Sequence, residues 1–231
     1  MNRRVIIALD VRSREEAIHL VNQLHDLAGM FKVGSELYMA AGAPVVREIT
    51  AAGANVFLDL KFHDIPKTVT HAVMEAAKLG VSMITIHASG GRAMMQTVAK
   101  DLLDKFGERK PLVVAVTVLT SLDTKALFEM GWEMPLDEHV QRLALLAQEC
   151  GIDGVVCSPR EIQVVRKVVE PRFKIVTPGI RLPDQSLNDQ QRIATPRDAL
   201  SSGADYIVVG RAVIDNADPR SALQRLLETV M

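Results

Sequence analysis

A segment near residue 60 combines two carboxylates and one lysine in an arrangement that could do acid–base chemistry. Asp59 and Lys61 are two residues apart in an apolar run, so a β-strand there would direct both side chains to one face. Asp64 follows in a predicted loop, and Pro66 suits the first turn of a helix. Flanking carboxylates favour the ammonium form of Lys61. Because a Schiff-base lysine has to be neutral, we expect proton donation or stabilisation of developing negative charge instead.

Two further charged residues lie in neighbouring apolar runs. Asp10 ends the first run and Lys32 lies within the second. A strand that is buried on both faces should not carry charges unless they are paired or functional. A structural salt-bridge cluster would explain Asp59 and Lys61 alone. With Asp10 and Lys32 in equivalent positions, the pattern favours catalysis.

The elements that must position these residues are short apolar runs that alternate with amphipathic segments. The alternation predicts an α/β fold, a (β/α)8 TIM barrel, with residues 1–231 as one domain. In such a barrel, reactive residues follow the carboxyl ends of the strands. A doubly wound sheet would be expected to carry a Gly-rich turn after its first strand, and the residues after Asp10 lack one. The predicted strands are Val5–Leu9, Phe31–Val33, Val56–Leu60, Met83–Ile86, Leu112–Leu119, Gly154–Cys157, Lys174–Val176 and Tyr206–Val209. The first predicted helix has Ser13 as its N-cap. The other predicted helices cover about 36–51, 67–79, 91–105, 137–150, 159–169, 195–202 and 219–229.

Two arginines follow the last two predicted strands and indicate an anion site. Arg181 lies in the loop after the seventh strand, and Gly210 and Arg211 follow the eighth. Barrels that bind phosphorylated ligands commonly hold the phosphate in these two loops. Glycine lets backbone N–H groups approach an anion, and arginine can pair with it. The polar segment 182–194 is longer than most such loops, which makes it a candidate lid.

Composition excludes several other classes of protein. The net charge is −1, with no block of like charge, so we expect no nucleic-acid partner. The N-terminal apolar run is too short for a signal sequence or a membrane span, so we expect a soluble, cytoplasmic protein. We expect no metal, because Lys32 and Lys61 already neutralise the carboxylates.

A longer motif around the lysine resembles the signature of the orotidine 5′-phosphate decarboxylase family, in its short bacterial, single-function form. The motif is Asp-x-Lys-x-x-Asp-Ile-Pro-x-Thr, formed here by Asp59, Lys61, Asp64, Ile65, Pro66 and Thr68. The resemblance extends over the whole chain. It includes Ala8-Leu9-Asp10, Phe31-Lys32-Val33-Gly34, the segment from Thr85 to Gly91, the segment from Val118 to Ser121, the segment from Thr177 to Arg181, and Val209-Gly210-Arg211.

The resemblance implies a carbon–carbon lyase that converts orotidine 5′-phosphate to uridine 5′-phosphate in pyrimidine biosynthesis, without a cofactor. Lys61 would protonate C6, Asp59 would lie against the substrate carboxylate, and Lys32 and Asp64 would complete the charge network. The nucleoside monophosphate would be bound by Asp10, Lys32, Asp59, Ile65, Thr68, Thr120, Arg181, Gln190, Gly210 and Arg211. The resemblance further implies a homodimer in which Asp64, Ile65 and Thr68 complete the neighbour's site.

Two alternatives stay open at this stage. Related 3-keto-gulonate-phosphate decarboxylases and hexulose-phosphate synthases share Asp-x-Lys-x-x-Asp but need magnesium and an acidic ligand near strand 2, for which Glu36 is the local candidate. The Ile65-Pro66-x-Thr68 continuation fits the first family better. A catalytically silent nucleotide-binding barrel would be expected to have lost Lys61 or a carboxylate. His87, at the end of the fourth strand, could be an acid or base or have a hydrogen-bonded structural role.

Overall fold

The computed structural model describes residues 2–181 and 194–230. Eight parallel strands pair in chain order and close on themselves, which confirms the predicted (β/α)8 barrel. The strands are β1 (Asn2–Ala8), β2 (Ala28–Gly34), β3 (Val56–Phe62), β4 (Met83–His87), β5 (Leu112–Val116), β6 (Gly154–Val156), β7 (Lys174–Thr177) and β8 (Tyr206–Val209).

Helices follow the strands and form the outer layer. They are α1 (Arg14–Leu24), α2 (Ser35–Ala51), α3 (Pro66–Lys78), α4 (Gly91–Phe106), α5 (Thr124–Glu129), α6 (Leu136–Glu149), α7 (Ile162–Arg166), α8 (Pro196–Ser201), α9 (Arg211–Ile214) and α10 (Pro219–Glu228). The predicted helices did not include α5 and α9, which have six and four residues. Among the described residues, none of these helices is long and apolar enough to cross a lipid bilayer.

Two predicted elements have bounds that differ from those expected. Strand β5 stops at Val116 rather than Leu119, because the chain then turns, with the N–H of Leu122 donating to the carbonyl of Leu119 at 2.9 Å. The predicted helix 159–169 begins as a 3₁₀ turn, because Ser158 caps it with a capping box and α7 starts only at Ile162. Neither difference moves a strand out of the barrel.

Strand alternation produces two apolar layers. One residue in two faces the barrel interior, where a compact cluster forms, and the others pack against the helices. The interior cluster contains Ile6, Ala8, Met30, Phe57, Met83, Val114, Val176 and Val208. The next inward positions, two residues further along, are Asp10 after β1, Lys32 in β2, Asp59 in β3 and Thr85 in β4. The polar residues therefore lie directly above an apolar plug, at the carboxyl end of the barrel.

Candidate active site

Four charged side chains form an alternating row across the mouth of the barrel. Lys32 Nζ lies 3.0 Å from Asp10 Oδ1 and 3.7 Å from Asp59 Oδ2. Lys61 Nζ lies 2.9 Å from both Asp59 Oδ1 and Asp59 Oδ2. Two ammonium groups thus balance two carboxylates. The structure brings together the four residues that the sequence placed at adjacent strand ends.

The row becomes more exposed from Asp59 outward. The side chains of Asp59 and Lys32 are each 12% exposed, whereas that of Lys61 is 36% exposed. A carboxylate as enclosed as Asp59 has to be paired, and two lysines pair with it. Lys61, which is more exposed and also lines the pocket, can contact a ligand there.

Lys61 reaches this position through a distortion of β3. Leu58 pairs with Ile84 and Phe62 pairs with Ile86, so the three residues between Leu58 and Phe62 lie opposite Thr85 alone. Lys61 has φ 51°, and it is the one non-glycine residue with positive φ in the described ranges 2–181 and 194–230. Such a conformation costs on the order of 1–3 kcal/mol and often occurs at functional sites. Asp59 and Lys61 do converge as predicted, but across a bulge rather than by regular strand alternation.

A pocket of about 250 Å³ joins this row to the two arginine loops. One side of the pocket carries Arg181, Gly210 and Arg211, and the floor is apolar. Arg181 is only 7% exposed, and its Nη1 donates to the carbonyl of Ile180 at 2.9 Å. The pocket can therefore take a ligand with an anionic group at one end and a reacting group beside Lys61 at the other. Its full lining is Ala8, Asp10, Lys32, Phe57, Asp59, Lys61, Thr120, Val156, Pro178, Gly179, Arg181, Val208, Gly210 and Arg211.

The three motif residues that were expected to complete a neighbour's site do not line this pocket. Asp64, Ile65 and Thr68 are exposed around the start of α3, and Ile65 is 66% exposed. The Oδ1 of Asp64 accepts a hydrogen bond from the N–H of Ile65 at 2.6 Å. Within the described part of the chain, Asp64 has no ion pair with Lys61 at 4.0 Å or less. A single chain therefore leaves this part of the expected charge network incomplete.

Gln190 and the rest of residues 182–193, which make up all of the candidate lid except Ala194, lie outside the described residues. Thr120, by contrast, lines the pocket from the turn after β5. An isolated β-bridge pairs Ile180 with Ala194.

His87 lies beside the site without lining the pocket. Its ring is 5.2 Å from that of His63, centroid to centroid, with the planes tilted by 32°. Burial lowers the pKa of His87, and the charges of His63 and Lys61 lower it further, while Asp59 opposes them. A neutral imidazole at neutral pH adds no charge to the row.

Two contributors were missed from the sequence. Thr85 is fully buried and hydrogen-bonds to both Asp59 and Lys61. Gly34 lies so close to Lys32 that a Cβ atom there would be 3.0 Å from Lys32 Nζ. The available signals were a threonine at an inward position between the two isoleucines of β4 and a glycine two residues after a strand lysine.

Nothing in the described residues forms a metal-binding group of three or more His, Cys, Asp or Glu side chains. Glu36, the candidate acidic ligand of the magnesium-dependent relatives, lies in the first turn of α2 and faces Arg12 at 3.7 Å. Its side chain is 63% exposed and does not line the pocket. The donor set of the pocket is thus two carboxylates that are each already in contact with a lysine.

Comparison with known proteins finds relatives along the whole chain. A family model described as "Orotidine 5'-phosphate decarboxylase / HUMPS family" matches residues 3–226. The chain is 45% identical over 229 residues to the orotidine 5′-phosphate decarboxylase of Pelobacter propionicus, covering 99% of this chain and 95% of that protein. The Escherichia coli O9:H4 protein of the same name is 45% identical over 225 residues, covering 97% of this chain and 91% of that protein.

A solved structure supports the same relationship. The orotidine 5′-phosphate decarboxylase of Lactobacillus acidophilus superimposes with a TM-score of 0.87 at 37% identity, and the match covers 99% of both chains. The family that the motif resembles is therefore confirmed by both sequence and fold. This chain belongs to the orotidine 5′-phosphate decarboxylase / HUMPS family.

Proposed function

We propose that this chain decarboxylates orotidine 5′-phosphate to uridine 5′-phosphate, a step of pyrimidine biosynthesis, without a metal or cofactor. The observation that carries the proposal is the Lys61 ammonium, 2.9 Å from both oxygens of Asp59 in a pocket whose other side carries Arg181 and Arg211. Relatives at 45% identity carry the corresponding name. A biosynthetic role of this kind implies a cytoplasmic enzyme.

The substrate would lie across the pocket with its phosphate at the arginine end. Arg181 and Arg211 would pair with the phosphate oxygens, and the glycine before Arg211 leaves room for a close approach. Asp10 and Lys32 would bind the ribose hydroxyls, and Thr120 would contact the pyrimidine. By family resemblance, Gln190 would bridge the phosphate and the base.

In the chemical step, the bond between C6 and the carboxylate breaks and its electron pair stays on C6. Carbon dioxide leaves, and Lys61 Nζ donates a proton to C6, so that uridine 5′-phosphate forms and the lysine is neutral until it regains a proton from water. The ammonium beside the developing carbanion stabilises negative charge electrostatically. Asp59 would lie against the substrate carboxylate, where like charge disfavours the bound carboxylate until carbon dioxide has left.

We further propose a two-fold dimer in which Asp64, Ile65 and Thr68 enter the neighbour's pocket. The support is that all three are exposed and lie off the pocket of their own chain, and that Ile65 is an apolar side chain with 66% exposure. A two-fold interface uses the same patch on both subunits, so each chain would complete the other's site. Asp64 would then extend the alternating row at Lys61.

One assay tests the activity and separates it from the metal-dependent relatives. The protein is mixed with orotidine 5′-phosphate in excess EDTA, and the ultraviolet change is followed as uridine 5′-phosphate forms. We expect full turnover in EDTA. No turnover with or without added magnesium would overturn the proposal, and turnover that EDTA abolishes and magnesium restores would point to a metal-dependent reaction.

A further inference from the structure

At the bulge in β3, the hydroxyl group of Thr85 contacts both the backbone of Lys61 and the side chain of Asp59. Thr85 Oγ1 accepts a hydrogen bond from the backbone N–H of Lys61 at 2.8 Å and donates one to Asp59 Oδ1 at 3.0 Å. Thr85 is fully buried, so this contact is enclosed within the protein. One β4 side chain thus connects the two residues of β3 that the proposed chemistry uses.

The hydroxyl replaces what regular strand pairing would have provided. Three residues of β3 face only Thr85, and at this irregularity the N–H of Lys61 donates to the threonine side chain. A buried N–H without an acceptor would be costly, so the hydroxyl lowers the free energy of the left-handed conformation at Lys61. Without that acceptor, a more regular conformation of the segment becomes competitive.

The same hydroxyl also orients the carboxylate. A threonine hydroxyl has one hydrogen, and with Lys61 N–H as its donor that hydrogen is directed to Asp59 Oδ1. Asp59 Oδ1 is also 2.9 Å from Lys61 Nζ, so the carboxylate plane is set by contacts on two sides. Valine has nearly the same shape as threonine but can neither accept nor donate here.

We propose that Thr85 is a positioning residue, whose hydroxyl holds both the bulged Lys61 backbone and the Asp59 carboxylate in the geometry that proton donation requires. The inference rests on the proposed decarboxylation for its kinetic consequence. Thr85 acts through Asp59 and Lys61 and lies outside the pocket lining, so it governs the rate of the chemical step more than substrate binding.

The test compares Thr85→Val, which removes the hydroxyl, with Thr85→Ser, which keeps it. The matched control is Thr177→Val in β7, another fully buried threonine, whose hydroxyl donates to the backbone carbonyl of Cys157 at 2.8 Å. We expect Thr85→Val to lower kcat about 100-fold with KM within about threefold, because misplacing catalytic groups by about 1 Å costs this much. Thr85→Ser and Thr177→Val should keep kcat within about threefold of the parent protein, in line with intact positioning.

A readout independent of activity is hydrogen exchange at the Lys61 amide. We expect exchange to be faster in Thr85→Val and unchanged in Thr85→Ser and Thr177→Val. If Thr85→Val does not fold, Thr85→Ala removes the same hydroxyl and is read in the same way. The proposal would be overturned if a folded variant without the hydroxyl kept both the kcat and the Lys61 amide protection of the Thr177→Val control. It would also be overturned if Thr85→Ser were as impaired as Thr85→Val. If the parent protein itself turned over no orotidine 5′-phosphate, the proposed function would fail, while amide exchange would still decide the role of Thr85.

Discussion

Lys61 Nζ lies at the same distance, 2.9 Å, from both carboxylate oxygens of Asp59, although the lysine backbone has a left-handed φ of 51°. Ionic contact and backbone distortion therefore occur in the same residue. Strained conformations of this kind persist where the surroundings impose them. Here the surroundings include the buried hydroxyl of Thr85 and the second ammonium, that of Lys32.

Replacing Lys61 by alanine should abolish decarboxylation while the fold survives. The lysine is the proposed proton donor, and a positioned general acid alone contributes about 100- to 10,000-fold to a rate. We expect kcat to fall by at least about 1,000-fold, since the electrostatic contribution is lost as well. Steady-state kinetics and circular dichroism check this. Lys100→Ala, which removes an exposed lysine on α4, is the matched control, and near-normal rates in Lys61→Ala would exclude the donor role.

Adding one methyl group at Gly34 should impair the site without unfolding the barrel. A Cβ at this position would be 3.0 Å from Lys32 Nζ and 3.8 Å from Asp10 Oδ1, with no other atom outside the neighbouring residues within 4 Å. Because φ is −90°, alanine meets no backbone strain. We expect Gly34→Ala to lower kcat/KM roughly 10- to 100-fold through displacement of the Lys32 ammonium. Unchanged kinetics together with an unchanged melting temperature would show that Lys32 adjusts without cost.

Removing Arg211 should weaken recognition of the phosphate specifically. A hydrogen bond to a charged group contributes about 1.5–3 kcal/mol, which corresponds to roughly 10- to 150-fold in kcat/KM. We therefore expect Arg211→Ala to lose this factor with orotidine 5′-phosphate but to match the parent protein with orotidine, which has no phosphate. Equal losses on both substrates would place Arg211 in a structural role.

Mixing two inactive variants should restore activity if the site is shared between subunits. In a hybrid of Asp64→Asn and Lys61→Ala, one of the two sites would contain both native residues. Random pairing at equal concentrations then predicts roughly a quarter of the parent activity. Subunit exchange followed by the decarboxylation assay measures this. The absence of recovery at every ratio, with hybrids shown to form by native mass spectrometry, would contradict a shared site.

Titration of His87 should make stability fall in mild acid. Its pKa in the folded protein lies below the ordinary value of 6.5, because burial and the charges of His63 and Lys61 disfavour the imidazolium form. The unfolded chain therefore binds more protons just below pH 6.5, and the free energy of unfolding falls as the pH drops from 6.5 through the folded-state pKa. Denaturant unfolding at a series of pH values should show a shallower dependence in His87→Gln. Equal slopes for the two proteins would refute this assignment.

Strand periodicity explains why so much of the barrel was predictable. The short runs are apolar without alternation, and this local pattern is typical of parallel strands that are buried on both faces. The same two-residue period, continued past the interior cluster, places Asp10, Lys32 and Asp59 at the barrel mouth. The arginines after β7 and β8 follow from the same strand order, so the charged row and the anion end could be predicted together.

Helix boundaries were predicted less well where elements are short. The turn after β5 and the helix α5 follow from a chain reversal at Leu119–Leu122, which has no periodic signature. These regions carry Thr120 into the pocket, so their course matters to the site. Family resemblance, and not any local pattern, singled out this threonine.

The sequence by itself determined the eight-unit barrel and which charged residues lie at its mouth. Both follow from local features, namely the apolar runs and the two-residue period of side chains along a strand. Only the tertiary structure decided how Lys61 reaches Asp59. The bulge depends on the register between β3 and β4, and that register is set by packing across the whole sheet. The contacts of the buried Thr85 hydroxyl were also decided by tertiary structure, because they join β4 to a segment more than 20 residues away in the sequence. The exposure of Asp64, Ile65 and Thr68 away from the pocket of their own chain depends on the direction in which α3 leaves the barrel.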